Sequence, residues 1–186
     1  MGVSVATKYE EPRAHVVRER YLETFGGQGL PVPVEKIAED LLGLRIEQSW
    51  EIQCSGMLLP AERRILLNAA EGFGGRNDPP LRRFRFTIAH EIGHWVVHCL
   101  EGKASELAPS FCRPVDLTET ADRSLEREAN VFAAELLMPQ PAVLEAWEEL
   151  EDVGACASRF DVSPTAMHWR VHNLGLVDSG PDPRPT

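Results

Sequence analysis

The chain has 186 residues, 43% hydrophobic and 26% charged, with a formal net charge of −10. That is enough for one domain with a sizeable core, or one domain and a small appendage, of ordinary globular composition. No apolar run approaches a membrane span, the first residues lack a signal-peptide stretch, and the negative charge argues against a general nucleic-acid binder, whose affinity comes from neutralising phosphates.

The expectation is a cytoplasmic protein with no membrane partner. Cys54, Cys99, Cys112 and Cys156 show no pairing motif and are expected as free thiols. The charge is uneven. Arg63, Arg64, Arg76, Arg82, Arg83 and Arg85 fall within one stretch, against Glu62, Glu71 and Asp78. That stretch reads either as a local basic patch or as a solvated face neutralised by its own acids.

Taken in order, residues 1–11 carry no clear signal. Residues 12–25 are predicted helical, with Ala14, Val17, Tyr21, Leu22 and Phe25 on one side and a Gly-rich end. A short helix follows Pro33 and stops at Gly43. Residues 44–49, 56–59 and 64–68 read as strands, forming a small antiparallel sheet of about three strands. A Gly/Asn/Asp/Pro loop leads to a helix over residues 81–100, on which Leu81, Phe84, Ile88, Ile92, Trp95 and Val96 recur at helical spacing. Residues 101–120 have no period, and a loop of that length in a compact domain is usually functional. Helices are predicted over residues 121–137 and 143–150, then a pair over 153–160 and 163–173, before a Pro-rich tail expected to be disordered. The expected organisation is a main domain over residues 1–150, a helical subdomain over 151–177 and a tail over 178–186.

The stretch that organises this chain is His90-Glu91-Ile92-Gly93-His94. Residues four apart share a helix face, so His90 and His94 can offer two imidazoles to one metal ion. Glu91 stands beside them, placed to take a proton from a metal-bound water. A third ligand in the pattern HExxHxxGxxH is ruled out, because Val97 and Leu100 hold the Gly and His positions.

The helix beyond the long loop supplies an alternative. Glu126, Ala129, Asn130 and Ala133 share one face, and the small residues admit another helix closely enough to bring Glu126 to His90 and His94. Two His and one Glu with an open position is a hydrolytic zinc arrangement. Asn130 is placed to hold one His ring by its second nitrogen. His98 is too far along for the same ion and reads either as a residue orienting a ligand or as a packing histidine, while Glu128 reads as a solvated surface residue.

The segment from Arg85 to His94 and on to His98, followed by Glu126-x-x-Ala129-Asn130-x-Phe132-Ala133-Ala134 and Leu136-Leu137-Met138-Pro139, resembles the ImmA/IrrE family of metallopeptidases. Residues 56–68 are similar to that family's hairpin, and Val162-Ser163 and residues 174–177 to its C-terminal end. The resemblance implies an α+β, zincin-like fold with a small sheet packed on a mainly helical domain. It implies an endopeptidase with one Zn2+ (Mn2+ as the alternative), ligands His90, His94 and Glu126, and Glu91 as general base. It implies cleavage of a helix-turn-helix transcriptional repressor, releasing stress, mobile-element or anti-phage defence genes, and activation of some members by single-stranded DNA.

Several expectations remain from the residues themselves. Cys112, in the loop between the second and third ligands, is a candidate inhibitory fourth ligand. Arg76, Arg82, Arg83 and Arg85 are a candidate nucleic-acid patch. The substrate is expected to add as a strand beside Arg64 to Asn68. No oxyanion donor is assigned, and His98 and His168 are candidates by residue type alone. Residues 157–174 resemble a helix-turn-helix, with Trp169 packed inward and Arg170 and His172 outward, so a DNA-binding regulator is one competing function. A toxin component of a toxin–antitoxin pair is another.

Overall fold

The computed structural model describes residues 12–27, 29–73, 80–100, 111–112 and 123–178. Helix α1 (Pro12–Phe25) is followed by a short helix α2, whose α-turn Val34–Lys36 widens into a π-turn over Ile37–Leu41. Strands β1 (Arg45–Ser49), β2 (Gly56–Leu59) and β3 (Arg64–Asn68) precede α3 (Pro80–Gly93). The chain continues through a two-residue strand β4 (Phe111–Cys112) and α4 (Arg123–Leu137) to α5 (Gln140–Leu150), α6 (Val153–Phe160) and α7 (Pro164–Asn173). The fold is α+β and zincin-like, a small sheet on a helical body.

The sheet order is β1-β3-β2-β4. The three expected strands are present, with a fourth added and one pairing parallel. β1 runs parallel to β3 in the register Arg45↔Arg64 to Ser49↔Asn68, whereas β2 pairs antiparallel with both β3 and β4. β3 is therefore interior, and the expectation of a free substrate edge at Arg64 to Asn68 is corrected. The reason is that β1, which follows α2, lays its backbone along β3, a non-local pairing with no signature in the β3 sequence. Arg64 instead binds Glu47 at 2.9 Å and also Glu62, and the Asn68 side-chain Oδ1 accepts from the Ala70 amide at 2.9 Å.

Helix α3 does not run on unchanged to residue 100. It is α-helical to Gly93 and becomes a π-turn over His94–Cys99, closed by the Leu100 amide on the Trp95 carbonyl at 2.9 Å. Such wider turns occur mostly as single insertions at functional sites. Here the insertion begins at the second histidine of the motif.

One apolar cluster fills the interior. It joins Ile88, Ala89 and Ile92 of α3 and Phe132, Ala133 and Leu136 of α4 to Leu58 and Ile65 of the sheet. Phe160, Val162, Met167 and Val171 of the C-terminal helices belong to the same cluster, so residues 151–177 share the core of the main body.

The register of α7 differs from expectation. Arg170 is buried, donating from Nε to the Met138 carbonyl at 2.9 Å and pairing with Glu135 at 2.5 Å, while Trp169 is exposed. The end of α4 explains this. Its last carbonyls and Glu135 attract a cation, and α7 lies where a guanidinium satisfies them.

Cys54 is disulfide-bonded and Cys99 and Cys156 are free, which corrects the expectation of four free thiols. Sequence spacing could not reveal it, because the pairing is tertiary. No helix among the described residues is long and apolar enough to cross a membrane.

Candidate metal centre

The site sits where α3 and α4 cross, and Gly93 is what lets them cross so closely. A Cβ at Gly93 would lie 3.0 Å from the Ala129 Cα, 3.0 Å from the Ala129 carbonyl and 3.3 Å from the Phe132 Cβ. Glycine facing a stripe of alanines permits near backbone contact, and Glu126, three residues before Ala129, is carried to the histidines as a result. The glycine is a site-building residue that sequence reasoning missed. Its signal was present, since Gly93 is the small residue of the His90–His94 stretch opposing the small stripe on α4.

His90, His94 and Glu126 are brought together, their ligand atoms all within 4.8 Å of one another. The two Nε2 atoms lie 3.0 Å apart, and Glu126 approaches them at 3.3 Å (His90) and 3.2 Å (His94). Tetrahedral coordination with metal–ligand bonds of about 2.0 Å places neighbouring donors roughly 3.3 Å apart. The far side of each ring decides what the near side offers. His90 Nδ1 is 3.1 Å from the Asn130 Oδ1 and must carry the proton there, which leaves Nε2 a bare lone pair. His94 Nδ1 is 3.0 Å from His98 Nδ1; donation from His94 likewise leaves its Nε2 bare. Two lone pairs and a carboxylate converging at these spacings repel one another unless a cation lies among them, so the donor set fits a divalent metal ion.

The Glu126 carboxyl is consistent with this. Burial pushes it up, but the contacts to His90 and His94 outweigh burial and hold it well below the usual carboxylate range. It is an anion throughout the neutral range. Both ligand histidines are about 1% exposed, as is Glu91, so the chemistry would occur in a site shielded from bulk water.

Glu91 is approached from above by β2. A Cβ at Gly56 would fall inside van der Waals contact of the Thr87 Cγ2 and 3.1 Å from the Glu91 Oε1. The strand backbone therefore rests directly on the face of α3 that carries Glu91. The absence of a side chain at Gly56 permits this approach.

The arginine patch is not assembled as expected. Arg85 is buried and donates to the Val32 carbonyl at 2.8 Å and the Asp161 carbonyl at 3.1 Å, with Glu35 at 3.3 Å. Arg82 binds Asp161 at 3.1 Å and Arg83 binds Glu71 at 2.9 Å. Acids brought in from other elements neutralise all three, and Arg85 serves as a rivet between α3, α2 and the α6–α7 turn. Arg76 lies outside the described residues. The Cys112 backbone pairs with Met57 in β4, and its side chain lies outside what the structure describes. Glu128, read as solvated, has its carboxylate 3.6 Å from His98 Nε2.

An α+β body with two histidines of one helix and a glutamate of the next turned on a common point defines the class: a zincin-like metallopeptidase fold. The model of the Peptidase_M78 family, described as the IrrE N-terminal-like domain, matches residues 76–172, just over half of the chain. The chain belongs to this ImmA/IrrE family of metallopeptidases. It is 29% identical over 120 residues to the radiation response metalloprotease IrrE of Deinococcus radiodurans, a match covering 62% of this chain and 33% of that protein. The matched region thus spans about a third of the curated relative's length. A solved Mycobacterium tuberculosis transcriptional regulator shares the fold, with a TM-score of 0.59 and 17% identity over 88% of this chain and 47% of the other.

Proposed function

We propose that the chain is a zinc-dependent endopeptidase that cleaves a helix-turn-helix repressor and so releases stress, mobile-element or defence genes. The observation that carries the reading is the convergence of His90, His94 and Glu126 beside the buried Glu91. Family membership and the likeness to a radiation response metalloprotease support it.

In this reading His90, His94 and Glu126 hold the ion, with Asn130 and His98 orienting the two rings. The nitrogen-rich donor set suits zinc, with manganese the alternative. The ion, when bound, would polarise the scissile carbonyl and acidify a water molecule. Glu91 takes the proton from that water and passes it to the leaving amine. Its burial keeps the carboxylate from being hydrated and so available as a base. The peptide is not placed along β3 or β2, both of which are interior to the sheet. Cys112 is not proposed as the inhibitory fourth ligand: with Cys54 disulfide-bonded and Cys99 and Cys156 free, it is the cysteine of the four that remains to pair with Cys54.

The competing reading as a DNA-binding regulator is weakened by the burial of Arg170, which removes an expected cation from the outer face of α7. Activation by single-stranded DNA rests on the family resemblance.

The experiment is to mix the purified chain with a helix-turn-helix repressor protein, with and without single-stranded DNA. Zinc-dependent cleavage is expected, and Glu91→Gln abolishes it while keeping the metal. Full cleavage by Glu91→Gln overturns the base assignment, and an intact repressor under both conditions overturns the substrate.

A further inference from the structure

β2 is interior only because β4 covers its second edge. Its first edge is held by β3 from Gly56↔Leu67 to Leu59↔Arg64, whereas β4 contributes only Met57↔Cys112 and Leu58↔Phe111. So short a strand lies below the usual strand length and needs support from outside the ladder. A covalent bond at its end supplies that support. Cys54 is disulfide-bonded, Cys99 and Cys156 are free, and Cys112 is the remaining cysteine of the four.

We propose that the Cys54–Cys112 disulfide is a redox latch that keeps β4 on the edge of β2, and that its reduction frees this edge for an extended peptide. The peptide part rests on the endopeptidase reading above. The two ends of the bond are held unequally. Cys54 is buried, and its neighbour Ser55 is fixed twice, its carbonyl accepting from the Asn68 amide at 3.0 Å and its hydroxyl donating to Glu71 at 2.8 Å. Breaking the bond therefore leaves the Cys54 end in place and β4 with its short ladder alone.

The covered edge bears on the chemistry. Gly56, the first residue of β2, rests on Thr87 and Glu91, so a strand laid beside this end of β2 lies close to the carboxylate read as the general base. β4 is itself an extended segment seated there, and it shows what the edge accepts: a backbone running antiparallel to β2 and joined to it by main-chain hydrogen bonds. One apolar core already unites the sheet with the helices, so the fold does not depend on a staple and the bond is available for regulation.

The step balances with a dithiol as reductant. One of its thiolates attacks a sulfur of the bond and displaces the other cysteine as a thiolate, which takes up a proton. The second thiol of the reductant then attacks the mixed disulfide and releases the first cysteine. Two electrons and two protons pass to the protein, leaving thiols at Cys54 and Cys112 and a disulfide in the reductant.

The test compares the full chain after oxidation with oxidised glutathione and after reduction with dithiothreitol, the reagents being removed before zinc is added. Thiol titration in denaturant is expected to find Cys99 and Cys156 alone in the oxidised form and all four cysteines in the reduced form. Reduction speeds hydrogen exchange of the amides that join β2 to β4 by about tenfold or more, and changes that of the β2–β3 ladder by less than about twofold. Cleavage of a helix-turn-helix repressor rises in step. Cys54→Ser/Cys112→Ser behaves like the reduced form under both treatments, and if that variant does not fold, the reduced parent chain decides.

Four thiols after oxidation overturn the latch, as does β2–β4 exchange that is unchanged by reduction. Equal acceleration in both ladders also overturns it, since the bond is then a staple for the whole sheet. Faster β2–β4 exchange with equal cleavage in both forms overturns the peptide part. Absence of cleavage in both forms overturns the endopeptidase reading, while exchange still decides the latch.

Discussion

The α3–α4 crossing makes Gly93→Ala the sharpest single perturbation of this site. The added methyl would sit 3.0 Å from the Ala129 Cα and carbonyl, both backbone atoms that no rotamer change can move. Ordinary carbon contacts lie near 3.5–4.0 Å, so the helices must part by roughly half an ångström. Overpacking of this kind costs about 1–3 kcal/mol. Replacing glycine by alanine inside a helix returns about 1 kcal/mol, which leaves a net loss of roughly 0–2 kcal/mol. The consequence for the metal is larger than for the fold. His90 lies one turn from Gly93 and Glu126 one turn from Ala129, so the displacement falls directly on the 3.2–3.3 Å approaches of Glu126 to the two histidines. A site loosened by a fraction of an ångström is expected to lose about tenfold or more in metal affinity, since ligand sets tolerate only about 0.5 Å of error. The assay is paired: urea unfolding of the metal-free protein, and chelator competition for zinc. Gly93→Ala that gains the full 1 kcal/mol of helix propensity and binds zinc like the parent would refute the close-crossing argument.

Gly56→Ala places a methyl against Thr87 and Glu91, and is expected to destabilise by about 1–3 kcal/mol with loss of activity; Thr87→Ser removes the opposing methyl and restores part of both in the double variant, and additive losses would count against the contact. Arg85→Ala strips the buried Val32 carbonyl and the part-buried Asp161 carbonyl of their donor and Glu35 of its ion pair, while the Asp161 carboxylate keeps Arg82, and should cost about 2–4 kcal/mol in urea unfolding; Arg85→Lys recovers less than half, because an ammonium cannot span the same acceptors, and full recovery would argue against the rivet. Burial pushes the Cys99 thiol up. Its neutral form is favoured in the fold, so the stability it contributes is present below the unfolded thiol value of about 8.5 and declines as pH rises from there towards the folded value. Alkylation of Cys99 in the native protein accordingly proceeds more slowly at neutral pH than that of an unfolded thiol, and equal rates would refute the burial argument.

Much of the site was legible in the sequence because its parts are local. His90 and His94 share a face through the helix repeat alone, and Glu91 follows from adjacency. The small stripe of Ala129 and Ala133 announced a close helix contact, and with it the delivery of Glu126. What it did not announce was the opposing glycine, which matters only once the two helices face each other.

The rest depended on partners the sequence does not name. β3 reads as a strand from its own residues, but whether it is an edge depends on β1, whose backbone lies along it in parallel. The six arginines look like a patch on the chain, yet Asp161 and Glu35 reach Arg82 and Arg85 from distant elements and close them off. Arg170 and Trp169 are neighbours on one helix, and periodicity assigned the tryptophan to the core. The charged end of α4 drew in the arginine instead. Glu128 looked like surface until α4 was laid beside His98. The sequence by itself determined which side chains share a face and which chemistry that face can perform. Only the tertiary structure decided what each face meets, because helical and strand periods are local properties, whereas strand order, ion pairing and the Cys54 disulfide are contacts between segments far apart along the chain.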